Sequence, residues 1–254
     1  MDLQLTGKRA LVTGGSRGIG RAIAETLVEE GCAVALCARG PETLDKVAAG
    51  LRERGATVHA EPVDVTDPDA LTAFVDRSAQ ELGGLDIVVS NVSAGASKAP
   101  DQWQKSLDGD LVPLVRLIEA AVPHLEQQGG GAIVSIGTTN AFDTVRPASP
   151  NAYSAIKAAV LHHAAAQARA LAPRGIRVNS VSPGPIEFPG GDWEKIREGR
   201  REVYDEVLGK IPVGRYGRPE DVAAAVAFLA SPRSGFTNAV NFVVDGGIVT
   251  RVQF

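Results

Sequence analysis

The chain has 254 residues, of which 44% are hydrophobic and 22% charged, with a formal net charge of −4 and a pI near 5.6. That apolar share is enough for a buried core. The acidic balance excludes the basic face a nucleic-acid binder turns to phosphates and gives no support to membrane-surface docking.

The predicted elements alternate along the chain. A strand over 9–14 (RALVTG) leads through TGGSRGIG (13–20) into a helix over 18–30. Strand 33–38 (AVALCA) precedes helix 41–55, and strand 57–64 (TVHAEPVD) precedes helix 68–82. Strand 86–91 (DIVVSN), helix 103–127, strand 132–137 (AIVSIG), helix 152–172 and strand 177–183 (RVNSVSP) follow. The charged stretch 186–215, with Gly190-Gly191, Trp193 and Tyr204, breaks the rhythm before helix 219–230 and strand 241–247 (NFVVDGG).

The strands are apolar throughout, as strands covered on both faces are. Strand–helix alternation predicts an α/β fold with a parallel sheet and right-handed crossovers. No linker, low-complexity tract or short repeat divides the chain, so residues 1–254 are expected to form one domain. Stretch 186–215 follows the carboxyl end of a strand, where open α/β sheets bind ligands. It is read as a small helical substrate lid, with a solvated helical excursion as the alternative. No apolar run approaches the roughly 18 residues of a membrane helix. The opening MDLQLTGKRALVTGG lacks a signal layout, so the expected location is the cytoplasm. Cys32 and Cys37 lie too far apart in an extended run to bond and are read as buried thiols.

Gly14, Gly18 and Gly20 form a glycine turn between the first strand and its helix. Such a turn brings backbone N–H groups and a helix N-terminus up to a pyrophosphate, so the segment, with Ser16, Arg17 and Ile19, is expected to bind a dinucleotide. An acid at the end of the second strand would select NAD(H), but that end reads Ala38-Arg39. Arg39 and Arg17 favour the 2′-phosphate of NADP(H), with NAD(H) the weaker candidate. Asp64, followed by Val65, ends the third strand; it is read as the partner of the adenine amine or as a cap of the next helix.

In NAYSAIKAAV (151–160), Tyr153 and Lys157 share one helix face. Hydride transfer to a carbonyl leaves an alkoxide that needs a proton. A phenol whose ionised form is favoured by a nearby ammonium is a fitting acid.

With TGGSRGIG, Asp64, DIVVSN, Tyr153-SAI-Lys157, RVNSVSPG (177–184), GRPEDVA (217–223) and VDGG, the sequence resembles the short-chain dehydrogenase/reductase family over nearly its whole length, and its 3-oxoacyl-[acyl-carrier-protein] reductase-like members in overall pattern. The resemblance implies a Rossmann-type, doubly wound parallel sheet of about seven strands and reversible NAD(P)-dependent conversion of alcohols and carbonyls. It implies that Lys157 holds the nicotinamide ribose, that Asn91 supports the adenosine side, and that Pro183, Gly184 and Ile186 meet the nicotinamide end. It also implies a homotetramer or homodimer, built on the helices near 103–125 and 152–172, with His162 and His163 at an interface, and on the apolar tail.

Several positions depart from the family pattern. Thr138 stands where the family has a catalytic serine, with Thr139 the weaker alternate and Ser135 too far back along the strand. The loop from there to Tyr153 is longer than usual. Asp110 replaces an asparagine in the proton-relay position, which changes the charge around Lys157. NVSAG (91–95) replaces the family's NNAG, and Phe188 replaces a threonine. The substrate, a small carbonyl or alcohol, is placed beside Asn140, Phe142, Phe188 and Trp193. A secondary-metabolite or imine substrate and a non-catalytic dinucleotide-binding protein are the alternatives. His59 and His124 are read as structural or solvated. No metal is expected, because no ligand cluster accompanies the histidines.

Overall fold

Short runs of β-branched and small apolar residues can be buried on both faces, and the chain uses them as strands. The computed structural model describes residues 1–97, 99–144 and 151–250. Among these, β1 (Arg9–Thr13), β2 (Ala33–Ala38), β3 (Val58–Pro62), β4 (Ile87–Ser90), β5 (Gly131–Ile136), β6 (Ile176–Pro183) and β7 (Asn241–Val244) form one sheet in the order β3-β2-β1-β4-β5-β6-β7. Every neighbouring pair is parallel. The order reverses between β1 and β4, the topological switch point of a doubly wound sheet.

The two faces have separate cores. Ala10 and Val12 of β1 and Val34 and Leu36 of β2 pack with α1 (Gly18–Glu29), α2 (Pro41–Glu53) and α9 (Pro219–Ala230). Leu11, Ala35 and Cys37 point the other way, onto α3 (Pro68–Leu82), α5 (Val112–Gln127) and α6 (Ala152–Leu171). Cys32 and Cys37 fall in opposite cores, both as free thiols. Burial pushes each thiol up to about 12. Strand alternation causes the split, since successive side chains face opposite layers.

The β1–β4 pair is clamped at its amino end. Asp86, just before β4, accepts from Arg9 Nε at 2.7 Å and Arg9 N at 3.0 Å, and Lys8 Nζ lies 3.2 Å away. Arg9 also bonds Gly83 O and Gln128 Oε1.

Two predicted elements differ. The single helix expected over 103–127 is α4 (Gln102–Ser106), a π turn (Leu107–Leu111) and α5. Pro113, near the start of α5, has no N–H to continue the ladder, and Gly109 sits so close to Ala94 that a Cβ there would lie 2.9 Å from that residue's Cβ. Strand β7 ends at Val244, because Gly246 and Gly247 take positive φ and Asp245 folds its carboxylate onto Gly247 N and Val249 N. The 186–215 stretch is helical in part, as α7 (Asp192–Gly199) and α8 (Arg201–Leu208).

Burial alone would raise the Asp86 carboxyl, but the Arg9 bonds outweigh it and hold it below its usual range. A depressed folded value stabilises above the unfolded value near 4 and is lost as pH falls through the folded one. Asp86→Asn is therefore expected to cost about 2 kcal/mol at neutral pH. In denaturant titrations across pH, the gap from wild type should narrow below about pH 4; a gap independent of pH would contradict the clamp.

Candidate active site

The glycine turn stands at the switch point and is tied down on both sides. Gly14 and Gly18 have φ of 70° and 52°, which side chains disfavour. Gly15 N donates to Cys37 O at 3.1 Å. From the end of β4, Asn91 Nδ2 donates to Thr13 O at 3.1 Å and Gly14 O at 3.2 Å, while Asn91 N donates to Thr13 Oγ1 at 3.0 Å. A Cβ on Gly20 would stand 2.2 Å from Gly14 O and 2.4 Å from Asn91 Nδ2. The start of α1 has no side-chain cap and no acid in its first turn. Its first N–H groups and positive dipole end are aimed as an anion requires. These features fit a dinucleotide pyrophosphate.

At the neighbouring surface, Arg17 and Arg39 are exposed and Val65 is buried. Asp64 accepts from Thr66 N at 3.0 Å and Thr66 Oγ1 at 2.8 Å. These bonds, with a weaker pull from Arg39, hold its carboxyl below the usual range. The helix cap is Asp67, not Asp64: its carboxylate accepts from Asp69 N and Ala70 N at 3.0 Å each.

A cleft of about 260 Å³ opens at the carboxyl ends of β1, β4, β5 and β6. Tyr153, Lys157 and Thr138 line it together. Arg17, Ile19 and Asn91 enter from the glycine turn and β4, and Pro183, Gly184 and Ile186 from β6 and its continuation. Phe188 and Trp193 close the far side. Asn140 and Phe142, in and just after the turn Thr139–Ala141, are not among the lining residues, and 145–150 lie outside the described residues. Ser93, Ile136, Gly137 and Asp192, which the sequence did not single out, also line the cleft, as do Gly190 and Gly191 of the 186–215 stretch. Ser93 had a signal in the altered NVSAG turn, and Asp192 in its place at the opening of α7.

Local structure fixes Tyr153, Lys157 and Thr138. Asn151 Oδ1, two residues before Tyr153, caps α6 by accepting from Ser154 N at 2.8 Å, so the helix starts at Ala152. Lys157 is buried; its Nζ donates to Ile136 O at 3.0 Å and lies 3.0 Å from Asp110 Oδ1. Burying an ammonium without a partner is costly, and a carboxylate at that distance offsets the cost. Thr138 Oγ1 accepts from Asn140 N at 3.3 Å, which leaves its O–H to donate. Ser135 is committed to the sheet interior, 2.7 Å from Ser180 Oγ, and Thr139 is buried off the cleft.

Phe188 lies on the glycine turn: a Cβ at Gly18 would be 2.6 Å from its ring, and one at Gly191 3.1 Å. The stretch after it has its own small core of Tyr204, Ile211, Tyr216 and Ile248, with Trp193 packed against it. The Tyr204 and Tyr216 rings stack at 4.3 Å, and Trp193 meets Tyr216 at 5.0 Å. Glu187 accepts from Tyr204 Oη at 2.8 Å and pairs with Arg197 at 2.6 Å. This anchoring is tighter than a solvated excursion requires. His124 Nε2 is 2.7 Å from Asp76 Oδ1, and His59 stacks on Phe74 at 6.0 Å. Among the described residues no acid, histidine or cysteine group could hold a metal, and no helix is long and apolar enough to cross a membrane.

An open α/β sheet with a glycine turn at its switch point defines the dinucleotide-binding class of doubly wound folds. A family model described as enoyl-(acyl carrier protein) reductase matches residues 14–249. The chain is 36% identical to isoepoxydon dehydrogenase of Penicillium expansum, over 98% of each chain. It is 35% identical to 3-oxoacyl-[acyl-carrier-protein] reductase of Vibrio harveyi, over 97% of this chain and 99% of that one. L-sorbose reductase of Gluconobacter frateurii, solved with NADPH and L-sorbose, superposes with a TM-score of 0.90 at 31% identity, covering 99% of this chain and 100% of that one. The chain belongs to the short-chain dehydrogenase/reductase family of oxidoreductases.

The close approach at Gly20 gives a test. Gly20→Ala should lower the midpoint of thermal unfolding by several degrees, a loss of about 2 kcal/mol, because backbone is what its Cβ meets. Gly50→Ala, in the interior of α2 with nothing within 4 Å, should be neutral or stabilising by about 0.5–1 kcal/mol. Equal effects at the two sites would contradict the packing described.

Proposed function

We propose that this protein is an NADP(H)-dependent reductase that converts a ketone to an alcohol, or the reverse. One observation carries the reading: Tyr153, Lys157 and Thr138 line one cleft together with Asn91 and residues of the glycine turn. The bound dinucleotide would supply or accept the hydride. Tyr153 Oη gives a proton to the developing alkoxide, or takes one from the alcohol. Thr138 Oγ1–H donates a hydrogen bond to the substrate oxygen and orients it. Lys157 favours the phenolate and holds ribose hydroxyls.

The glycine turn and α1 N-terminus bind the pyrophosphate. Arg17 and Arg39 take the 2′-phosphate, which Ala38, standing where NAD-selective sheets have an acid, does not repel. Asp64 meets the adenine amine. Residues 186–215 cover the substrate, with Phe188 and Trp193 against it. The NADPH in the L-sorbose reductase structure supports the cofactor choice. The isoepoxydon dehydrogenase relative supports a specialised hydroxylated or keto substrate as much as the acyl-carrier reductase relative supports an acyl thioester. A cytoplasmic assembly of two or four copies completes the reading.

The test is NADPH consumption over a panel of acyl thioesters, cyclic and bulky ketones, quinones and imines. Turnover of at least one class is expected, with Tyr153→Phe slower by at least about 100-fold. Turnover untouched by Tyr153→Phe would overturn the assignment, and NADPH binding without turnover of any class would favour a dinucleotide-binding protein without catalysis.

A further inference from the structure

Lys157 is held more closely than a residue of an open cleft needs to be. Its ammonium and the Asp110 carboxylate lie 3.0 Å apart, with side chains 3% and 0% exposed. The second carboxylate oxygen, Oδ2, accepts from Ala94 N at 3.3 Å. The Lys157 ammonium, from α6, as an ion-pair partner and the Ala94 amide, from the segment after β4, as a hydrogen-bond donor therefore both meet position 110. A carboxylate answers both with oxygens, whereas an amide answers one and turns its N–H₂ against the other.

The backbone is shaped for this. Asp110 lies in the π turn 107–111, where Gly109 and Asp110 are both buried. One helical turn back, Ser106 Oγ accepts from Gln102 Nε2 at 2.8 Å. Gln102 Nε2 also reaches Gly95 O at 2.8 Å, and its Oε1 takes the Ser97 hydroxyl. Positions 102, 106 and 110 thus tie the segment 94–97, next to the cleft residue Ser93, to the catalytic lysine.

Resting on the oxidoreductase reading, we propose that Asp110 is a positioning residue that presents Lys157 to the cleft as half of an ion pair, and so sets the pH at which Tyr153 exchanges its proton. A lone ammonium one turn from a phenol favours the phenolate; a carboxylate directly behind that ammonium offsets much of its field. The other charged groups lining the cleft with Tyr153 are Arg17 and Asp192, of opposite sign. From β5 the pair meets the Ile136 carbonyl, and from the 94–97 segment a backbone amide. Asp108, the second acid of the π turn, faces outward to Gln104 at 2.8 Å. The proton whose exchange the pair governs is that of Tyr153.

The test needs no substrate. The chain has three tyrosines, and burial pushes Tyr204 and Tyr216 up. The near-ultraviolet tyrosinate titration of each protein, less that of its Tyr153→Phe counterpart, isolates Tyr153. In Asp110→Asn the midpoint should fall by about one pH unit or more. The alkaline rise of kcat for alcohol oxidation should move with it, while the KM for the dinucleotide changes little. An unmoved midpoint in a variant with native circular dichroism overturns the proposal.

Should Asp110→Asn fail to fold, the double variant Asp110→Asn with Lys157→Gln decides, because it leaves no unpaired buried charge. A midpoint within about half a unit of wild type is expected; one raised by more than about one unit shows that Lys157 acts as a lone ammonium and overturns the pair. If the midpoint falls but wild type turns over nothing, the oxidoreductase reading fails and the pair stands. If wild type turns over and the midpoint is unmoved, the pair fails alone.

Discussion

The reach of Asn91 across the gap between β4 and β1 is the interaction on which the rest of the site depends. Its side-chain amide bonds the carbonyls of Thr13 and Gly14, and its backbone N–H bonds the Thr13 hydroxyl. At a switch point, the loops that follow the two central strands leave toward opposite faces of the sheet, and Asn91 ties the two together where the β1–β4 ladder ends. With Asp86 clamping the other end of the same pair, β1 and β4 are held at both termini. Gly20 then packs onto Gly14 O and Asn91 Nδ2 with no room for a side chain, which sets where α1 begins and where its first N–H groups point.

From that fixed crevice, the parallel topology does the assembling. All strands of the sheet end on the same side, so Gly14, Asn91, Thr138 and Pro183 converge although they are far apart in sequence. Helix α6 begins beside them because Asn151 caps it, and the i, i+4 spacing carries Tyr153 and Lys157 onto the cleft face together. The lysine is in turn buried against β5 and the π turn, so Tyr153 and Lys157 sit on a helix anchored to the sheet rather than on a loop. The aromatic core of the 186–215 stretch places Trp193 over the opening.

What the sequence made legible follows from the range of the forces involved. Strands and helices were readable because apolar runs and helical periodicity are local, and most bounds agree to within a few residues. The glycine turn was readable because a tight strand-to-helix turn needs residues without a Cβ, and the shared face of Tyr153 and Lys157 because i, i+4 spacing on a helix is local. The break in the 103–127 helix was legible only as Pro113, since the close approach of Gly109 to Ala94 involves another segment. The partners of His124 and His59, the role of Asp67 rather than Asp64 as a cap, and the bonds of Glu187 to Tyr204 and Arg197 were invisible. Asp110 was legible as a departure, but its contacts with Lys157 and Ala94 appear only when three separate segments are brought together.

Calorimetric titration with NADPH and with NADH measures the central claim most directly, that the crevice at the β1–β4 switch is built for a dinucleotide carrying a 2′-phosphate. The account predicts one NADPH bound per chain, at least about tenfold more tightly than NADH, a difference of about 1.4 kcal/mol. Saturable binding of neither, or tighter binding of NADH, would contradict it.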